Sequence, residues 1–573
     1  MAFTLDLEKL NSDCVPGKNL QMSYYHGACG EPLSGWTIPQ LVEAAASGCP
    51  SRILYRVLEY NQAITAKQLL EKANSFSKGL ISEGVVKGDV VFCVGLDTID
   101  FYPIMHAVFA IGAVFFNGFL YAPKAVELAR LINTVKPKLL ICGKKEISTV
   151  EEAIGNIPDR SWDCFCVSFD SNNTPANLCS LKELLKNGEA VTDEQLQSYK
   201  RHISLDDNAW ILASSGTTGQ PKLVYHGHHA LVNFAKFSII RKNPKKKPQV
   251  EAWLNAINDD LLPVSQALAI LFHWRLDHVG VMLPSSVDYT DEGVQRLKEI
   301  IEQEKITTLS LMPFWIVGLL KQAAASRTSL SSLRAGLLVT QAVSQKVRRI
   351  IAEEYSDFVV GFGATEFLTA TTTSPDMTTK EQFITSAGYA MPHVEVKVLS
   401  DDGDILPINT TGELSFRGWP LFNGYHSSST NTKRVVDARN WFHSGDLGKM
   451  DSTGHIEVLG RKSDCIRFKK KGDVVYPEVV EAAARQHEKV LDVKVIGLSE
   501  DKFGATIVAC VILRKDTVAS SEDIKAFLLT KLHENYQPDH VLFFDDFPKV
   551  GARKKVSRPQ LTEIVKMRII PEI

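Results

Sequence analysis

The sequence has almost no net charge, no pairing pattern among its cysteines and no clean apolar run, and each gap excludes something. Lys and Arg number 64 against 66 Asp and Glu, a formal charge of -2 over 573 residues. That balance gives no electrostatic reason to expect nucleic acid or an anionic membrane as partner. The densest basic stretch, KNPKKKP at 242–248, is broken by prolines and holds no aromatic, so it reads as a solvated loop. The ten cysteines are scattered; only Cys164 and Cys166 are close, with neither a CxxC pair nor Cys/His metal spacing. Reduced thiols in a cytosol-like compartment follow. The opening MAFTLDLEKLNSDC has neither an apolar h-region nor arginines, and RIIPEI is not a peroxisomal tripeptide. A cytoplasmic location is therefore expected, with an organelle (mitochondrion or peroxisome) left open to a signal of another kind. The uncharged stretch at 101–121, FYPIMHAVFAIGAVFFNGFLY, has the length of a membrane span. Pro103, His106, Gly112 and Asn117 interrupt it, so it is expected to be a buried helix running into a buried strand, with no transmembrane segment.

What is present is the composition of an ordinary soluble globular protein, 45% hydrophobic and 23% charged. From Ala66 onward helical and strand patterns alternate. TAKQLLEKANSFSKGLISEG has apolar residues at helical spacing, and DVVFCVG is a short continuous apolar run. ELARLINTV followed by PKLLICG repeats the pair, as does RLKEIIEQEKITTLSLMP. Such alternation argues for parallel sheets covered by helices, and no repeat of solenoid length is present. After Arg461 the texture changes to YPEVVEAAARQHE, VLDVKVIGL, TIVACVILR and SSEDIKAFLLTKLHENY, an α+β unit. The expected fold class is α/β: a large body at 1–461 and a small lobe at 462–573.

Residues 214–223 read SSGTTGQPKL. Glycines let backbone N–H groups converge and hydroxyls add donors, as in a phosphate loop. The spacing is not that of a Walker A loop, because Lys222 follows Pro221 and precedes Leu223. Alone, the stretch leaves a Gly/Ser/Thr-rich surface loop as the lesser alternative. GFGATE at 361–366 offers a flat aromatic, a hydroxyl and a carboxylate; Glu366 suits Mg²⁺ beside phosphates, or is a plain surface acid. In WFHSGDLG, Asp446 can accept two hydrogen bonds, as a ribose diol requires, or form an Asx-type turn. GRKSD puts Arg461 where the expected lobes join, and FPKVGARKKVSR sets several cations on an apparent loop.

Taken together and in this order, these stretches resemble the acyl-adenylate-forming superfamily over nearly the whole chain. The medium-chain acyl-CoA synthetase branch is the most similar, through SYYHGACGEPLSGWT, SAGYAMPHVEVKV, GELSFRGWPLFNGY and VVYPEVVE. The resemblance implies that a carboxylic acid attacks the α-phosphate of Mg·ATP to give acyl-AMP and pyrophosphate. CoA then takes the acyl group, so ATP, Mg²⁺ and CoA are the expected cofactors and a small-molecule acid the partner. It also implies roles. Ser214, Ser215, Gly216, Thr217, Thr218, Gly219 and Lys222 would hold phosphates, and Phe362, Gly363 and Ala364 would border the adenine. Thr365 would touch the α-phosphate, Glu366 would bind the metal, and Asp446 would take the ribose beside Arg461. A lysine of a rotating small lobe would bridge the acid and the α-phosphate. Gapless alignment makes it Lys554, and one inserted residue makes it Lys555. The hinge would be Ser463, where Asp or Lys is usual.

The chain departs from the pattern at several places. Ser265 and Gln266 stand where an aromatic–His pair is common. VTQAVS at 339–344 has no glycine, Leu223 replaces glycine, and IRFKKKG is a longer hinge loop. These departures suggest an altered acyl pocket on an intact ATP site, for a branched, aromatic or metabolite-derived acid. They also leave room for an acceptor other than CoA, or for a nucleotide-binding homologue impaired in catalysis.

Overall fold

The computed structural model describes residues 19–95, 98–117, 124–157, 165–168, 179–214, 222–241, 249–253, 278–284, 286–287, 290–309, 313–326, 330–339, 345–355, 357–373, 378–426, 428–467, 474–500, 504–532, 534–550 and 555–569. The basic stretch at 242–248, Ser265 and Gln266, the loop at 340–344 and the lysines at 469–471 lie outside these residues. By contacts the chain falls into two units. One comprises Tyr25–Glu395 and Phe416–Phe442; the other comprises Val396–Ser415 and His443–Ile573 with a segment ending at Tyr24.

Among its described residues, the first unit holds an eight-stranded and a nine-stranded sheet. The eight-stranded sheet runs Gly424–Tyr425, Lys222–Gly227, Asn208–Ser214, Val114–Phe116, Val90–Val94, Leu139–Cys142, Phe165–Ser168 and Cys179–Ser180. From Asn208–Ser214 to Cys179–Ser180 its neighbours pair in parallel. Strands buried on both faces have no solvated side to encode, which is why VVFCV and LLIC are continuous apolar runs. The nine-stranded sheet is parallel through Ala335–Val339 and Asp357–Ala364, then turns antiparallel at Leu368–Thr372 and Tyr389–Ala390.

Helices cover these sheets as the sequence pattern requires. Ala66–Ser82 starts at a capping box, in which Thr65 and Gln68 each satisfy the other's backbone N–H. Leu69, Ala73, Phe76 and Leu80 recur at helical spacing and are buried. Within the uncharged stretch at 101–121, of which residues 118–121 lie outside the described ones, Phe101–Ala110 is a wholly buried helix and Val114–Phe116 a buried strand. Among the described residues no helix is long and apolar enough to cross a membrane.

The second unit contains residues 396–399, 412–415, 443–450 and 456–461 as strand segments of one sheet. It also contains the three-stranded sheet Val490–Glu500, Gly504–Leu513 and His540–Phe543. Alternation divides that sheet into two cores. Val493, Val495, Ile507, Ala509 and Val511 pack with Val480, Ala484, Ile524 and Leu528 of the helices Pro477–Ala484 and Ser521–Leu529. Ile496, Leu498, Val508, Cys510 and Ile512 pack with Leu561, Val565 and Ile569 of the helix Arg558–Ile569. The FPKVGARKKVSR stretch, expected as a loop, supplies two paired strands, Lys549–Val550 and Lys555–Val556. The structure is thus α/β, with a large body of helix-covered sheets and a smaller α+β C-terminal part.

Candidate active site

The phosphate-loop stretch begins and ends on paired strands. Ser214 closes Asn208–Ser214, Lys222 opens Lys222–Gly227, and the two are antiparallel register partners. Ser215, Gly216, Thr217, Thr218 and Gly219 lie outside the described residues. In KLVYHG both Leu223 and Val224 are buried, so the strand start is covered on both faces. Leu223 packs in the core cluster of Phe116, Ile211 and Ala213, so this departure from the family pattern is a packing residue.

GFGATE forms the end of Asp357–Ala364 and the turn into Leu368–Thr372, with Ala364 opposite Leu368 and Gly363 opposite Thr369. Gly363 is fixed by space, since a Cβ there would lie 1.8 Å from the Leu368 carbonyl oxygen. Phe362 is 4% exposed, with its ring 5.6 Å from that of Phe367 and 5.7 Å from that of Phe416. That ring is spent on an aromatic cluster, while Gly363 and Ala364 are only half-buried.

The turn itself is tied to the loop's strands. Nε2 of His226 lies 2.6 Å from the Thr365 carbonyl oxygen. A carbonyl cannot donate, so Nε2 carries the proton. Burial pushes the His226 imidazole down to about 4, which keeps it neutral and fixes that tautomer at neutral pH. Its Nδ1 is buried and makes no hydrogen bond among the described residues. Glu366 is held at both ends: its carbonyl accepts from the Phe422 N–H at 2.9 Å, and Oε1 accepts from the Tyr425 hydroxyl at 2.7 Å.

Tyr425 also places Lys222. Its short strand pairs with Lys222–Gly227, Val224 opposite Tyr425, and the Lys222 ammonium lies 5.4 Å from the Tyr425 ring centroid. Cation–π contact at so exposed a site contributes about 0.5–1 kcal/mol. It aims more than it stabilises. One tyrosine therefore joins a cation at the foot of the loop to the carboxylate of the ATE turn. Neither Tyr425 nor His226 was picked out by sequence reasoning. The stretch FNGYH gave a signal only as part of the resemblance, and the two residues act across 59 and 139 positions of chain.

Asp446 and Arg461 belong to the second unit and meet there. Neighbouring antiparallel strands place them opposite each other, with Arg461 Nε 3.0 Å from Asp446 Oδ1. Arg461 NH1 donates to the Ser444 carbonyl at 2.9 Å, and Ser444 Oγ accepts from the Asp446 N–H at 3.0 Å. Asp446 is 1% exposed and lies within a nine-residue strand, so the Asx-type turn does not hold. Ser, Gly and Asp favour turns locally, but flanking Phe442, Leu447 and Met450 are buried and pull the segment into the sheet. Lys462 is paired with Asp401 at 3.0 Å and Glu413 at 3.2 Å, while Arg461 faces Asp446. Lys555 opens its short strand with Val550 as register partner, and Lys554 lies outside the described residues.

Comparison with known proteins bears on the fold and the family. The Danio rerio protein named medium-chain acyl-CoA ligase ACSF2, mitochondrial, is 25% identical over 582 residues, covering 96% of this chain and 92% of its own. The anthranilate CoA ligase AuaEII, solved with anthranoyl-AMP, superposes with a TM-score of 0.76 at 20% identity, over 94% of this chain and 99% of that one. The amide bond synthetase McbA from Marinactinospora thermotolerans gives 0.75 at 20% identity, over 92% and 99%. These structures share the fold of adenylate-forming enzymes. The AMP-binding enzyme family matches residues 42–426 and its C-terminal domain matches 479–554, and the chain belongs to that family of adenylate-forming ligases.

Proposed function

We propose that the protein is an AMP-forming acid–CoA ligase: it activates a carboxylic acid with ATP, then passes the acyl group to CoA. The observation that carries this reading is the convergence of Lys222, Tyr425, Glu366 and the His226-bound Thr365 in one unit. A carboxylate attacking a polyanion needs fixed positive charge and donors more than it needs a nucleophile. Lys222 and the loop at 214–219 would take the β- and γ-phosphates, and Thr365 would face the α-phosphate. The half-buried Gly363–Ala364 edge would lie along the adenine, with Phe362 supporting it from behind. Asp446 and Arg461 would hold the ribose.

Glu366 fits a magnesium ion. It is half-buried, one oxygen is oriented by Tyr425, and the other makes no hydrogen bond among the described residues. Bound there, the ion would neutralise phosphate charge; Tyr425 keeps the carboxylate turned toward it. Lys554 or Lys555 would bridge the two anions of the first step, and the lobe beginning at 462 would turn about Ser463 before CoA attacks. The acid is fatty or fatty-acid-like, in keeping with the name of the Danio rerio relative, and ATP binding accords with the family. A site in cytoplasm or mitochondrion suits the same chemistry.

The test is acid-dependent exchange of labelled pyrophosphate into ATP across a panel of carboxylic acids. Exchange with at least one acid, abolished by Glu366→Ala, is the expected result. Tight ATP binding without exchange by any acid overturns the reading.

A further inference from the structure

Just beyond Arg461 the chain turns through Lys462–Asp464, and within the same unit three carboxylates gather on one guanidinium. Arg558, which opens the C-terminal helix after the Lys555–Val556 strand, lies 2.7 Å from Glu481, 3.4 Å from Asp464 and 3.7 Å from Glu478. Glu481 is the anchor. It is 3% exposed, and it also takes Arg485 at 3.0 Å, Lys494 at 3.5 Å and the Val495 N–H at 3.0 Å. Burial would raise its carboxyl, but these cations outweigh burial and hold it below its ordinary value.

Glu478 is placed differently. Its Oε2 is buried and makes no hydrogen bond among the described residues. It lies against the backbone of Gly460, where a Cβ would meet Oε2 at 2.2 Å. Gly460 holds φ at +144°, a conformation open to glycine, so the strand passes the carboxyl more closely than a side-chain-bearing residue permits. Only a share of Arg558 faces it, against the like charges of Glu481 and Asp464. The other nearby cations are committed elsewhere: Lys494 and Arg485 to Glu481, and Arg461 to Asp446.

We propose that Glu478 is a positioning residue that takes and releases one proton, and so sets how firmly the 460–464 turn is held against the helix Pro477–Ala484 and against Arg558, which follows the strand Lys555–Val556. The neutral carboxyl sits against Gly460 at no charge cost. Ionised, it has an orphaned buried oxygen and two like charges beside it. Burial, the largest cause, raises this carboxyl from 4.5 to about 7. A carboxyl raised in the folded protein contributes stability that is full below its ordinary value and is lost as pH rises through about 7. Above that pH the turn loosens. The functional part of this inference rests on the proposed reaction, since the turn contains the proposed hinge Ser463 and the strand before Arg558 begins at Lys555.

Hydrogen–deuterium exchange on the full chain at pH 6 and pH 8, corrected for intrinsic rates, tests it. Amides at 460–467 are expected to exchange several-fold faster at pH 8 in the wild type. In Glu478→Gln they keep their protection at both pH values. Asp464→Asn removes a like charge and lowers the midpoint of the change. A wild type with no pH difference, or a Glu478→Gln variant that follows the wild type, overturns the proposal. Should Glu478→Gln fail to fold, an unmoved midpoint in Asp464→Asn overturns it alone. Because this readout needs no substrate, a protein that shows the exchange change yet activates no acid refutes the proposed reaction and leaves the proton-dependent turn standing.

Discussion

Tyr425→Phe removes one oxygen and leaves the ring on which Lys222 rests. The atom it deletes donates 2.7 Å to a half-buried carboxylate. Hydrogen bonds to charged groups contribute about 1.5–3 kcal/mol, and partial exposure of Glu366 places this one at the lower end. About 1.4 kcal/mol is a factor of ten in rate or affinity. Residues that orient a metal-binding carboxylate change metal affinity by ~10–100-fold when lost. The expected outcome is therefore a roughly tenfold rise in the Mg²⁺ concentration that half-saturates acid-dependent pyrophosphate exchange. ATP binding measured by calorimetry should weaken with Mg²⁺ present and stay unchanged without it. A variant indistinguishable from wild type at every Mg²⁺ concentration would refute the reasoning. So would an equal loss of ATP affinity without the metal, which would place the hydroxyl on the nucleotide itself.

Three further outcomes are expected. Gly363→Ala forces a Cβ to within 1.8 Å of the Leu368 carbonyl, so the hairpin must open, at a cost of ~1–3 kcal/mol or more visible as a lower Tm and lost exchange activity. Burial depresses His226 and His228 to about 4 and His106 to about 3. Their contribution is full above pH 6.5 and is lost as pH falls toward 4, so urea midpoints should drop between pH 7 and pH 5, and drop less in His226→Gln, which keeps the donor to Thr365. Replacing Lys554 and Lys555 together by Ala should impair acyl-AMP formation by ~10²-fold or more while sparing thioester formation from supplied acyl-AMP; equal loss in both steps removes the assignment.

Much of the fold could be read from the sequence because its signals are local. VVFCV and LLIC are apolar throughout because both faces of those strands are covered, and Thr65 with Gln68 marks a helix start on four residues. The opposite faces of the C-terminal sheet follow from the alternation in TIVACVILR. Reading failed where local chemistry and long-range packing disagreed. HSGDLG looks like a turn, yet it lies within a paired strand, with Gly445 at φ +69°. The strand at Lys555 looks like a loop because cations dominate it. Leu223 looked like a change in the acyl site, and its side chain proves to be core. Tyr425 could not be found from its own neighbourhood, because what it does depends on Glu366, brought to it by sheet pairing.

The central claim is an acid activated at the α-phosphate and handed to CoA. Purified protein incubated with ATP, Mg²⁺, CoA and the acid panel, with nucleotides and thioesters separated and quantified, tests it most directly. The account predicts AMP and acyl-CoA in equal amounts, both dependent on the acid, with no ADP. AMP without thioester, or ADP in place of AMP, would contradict it.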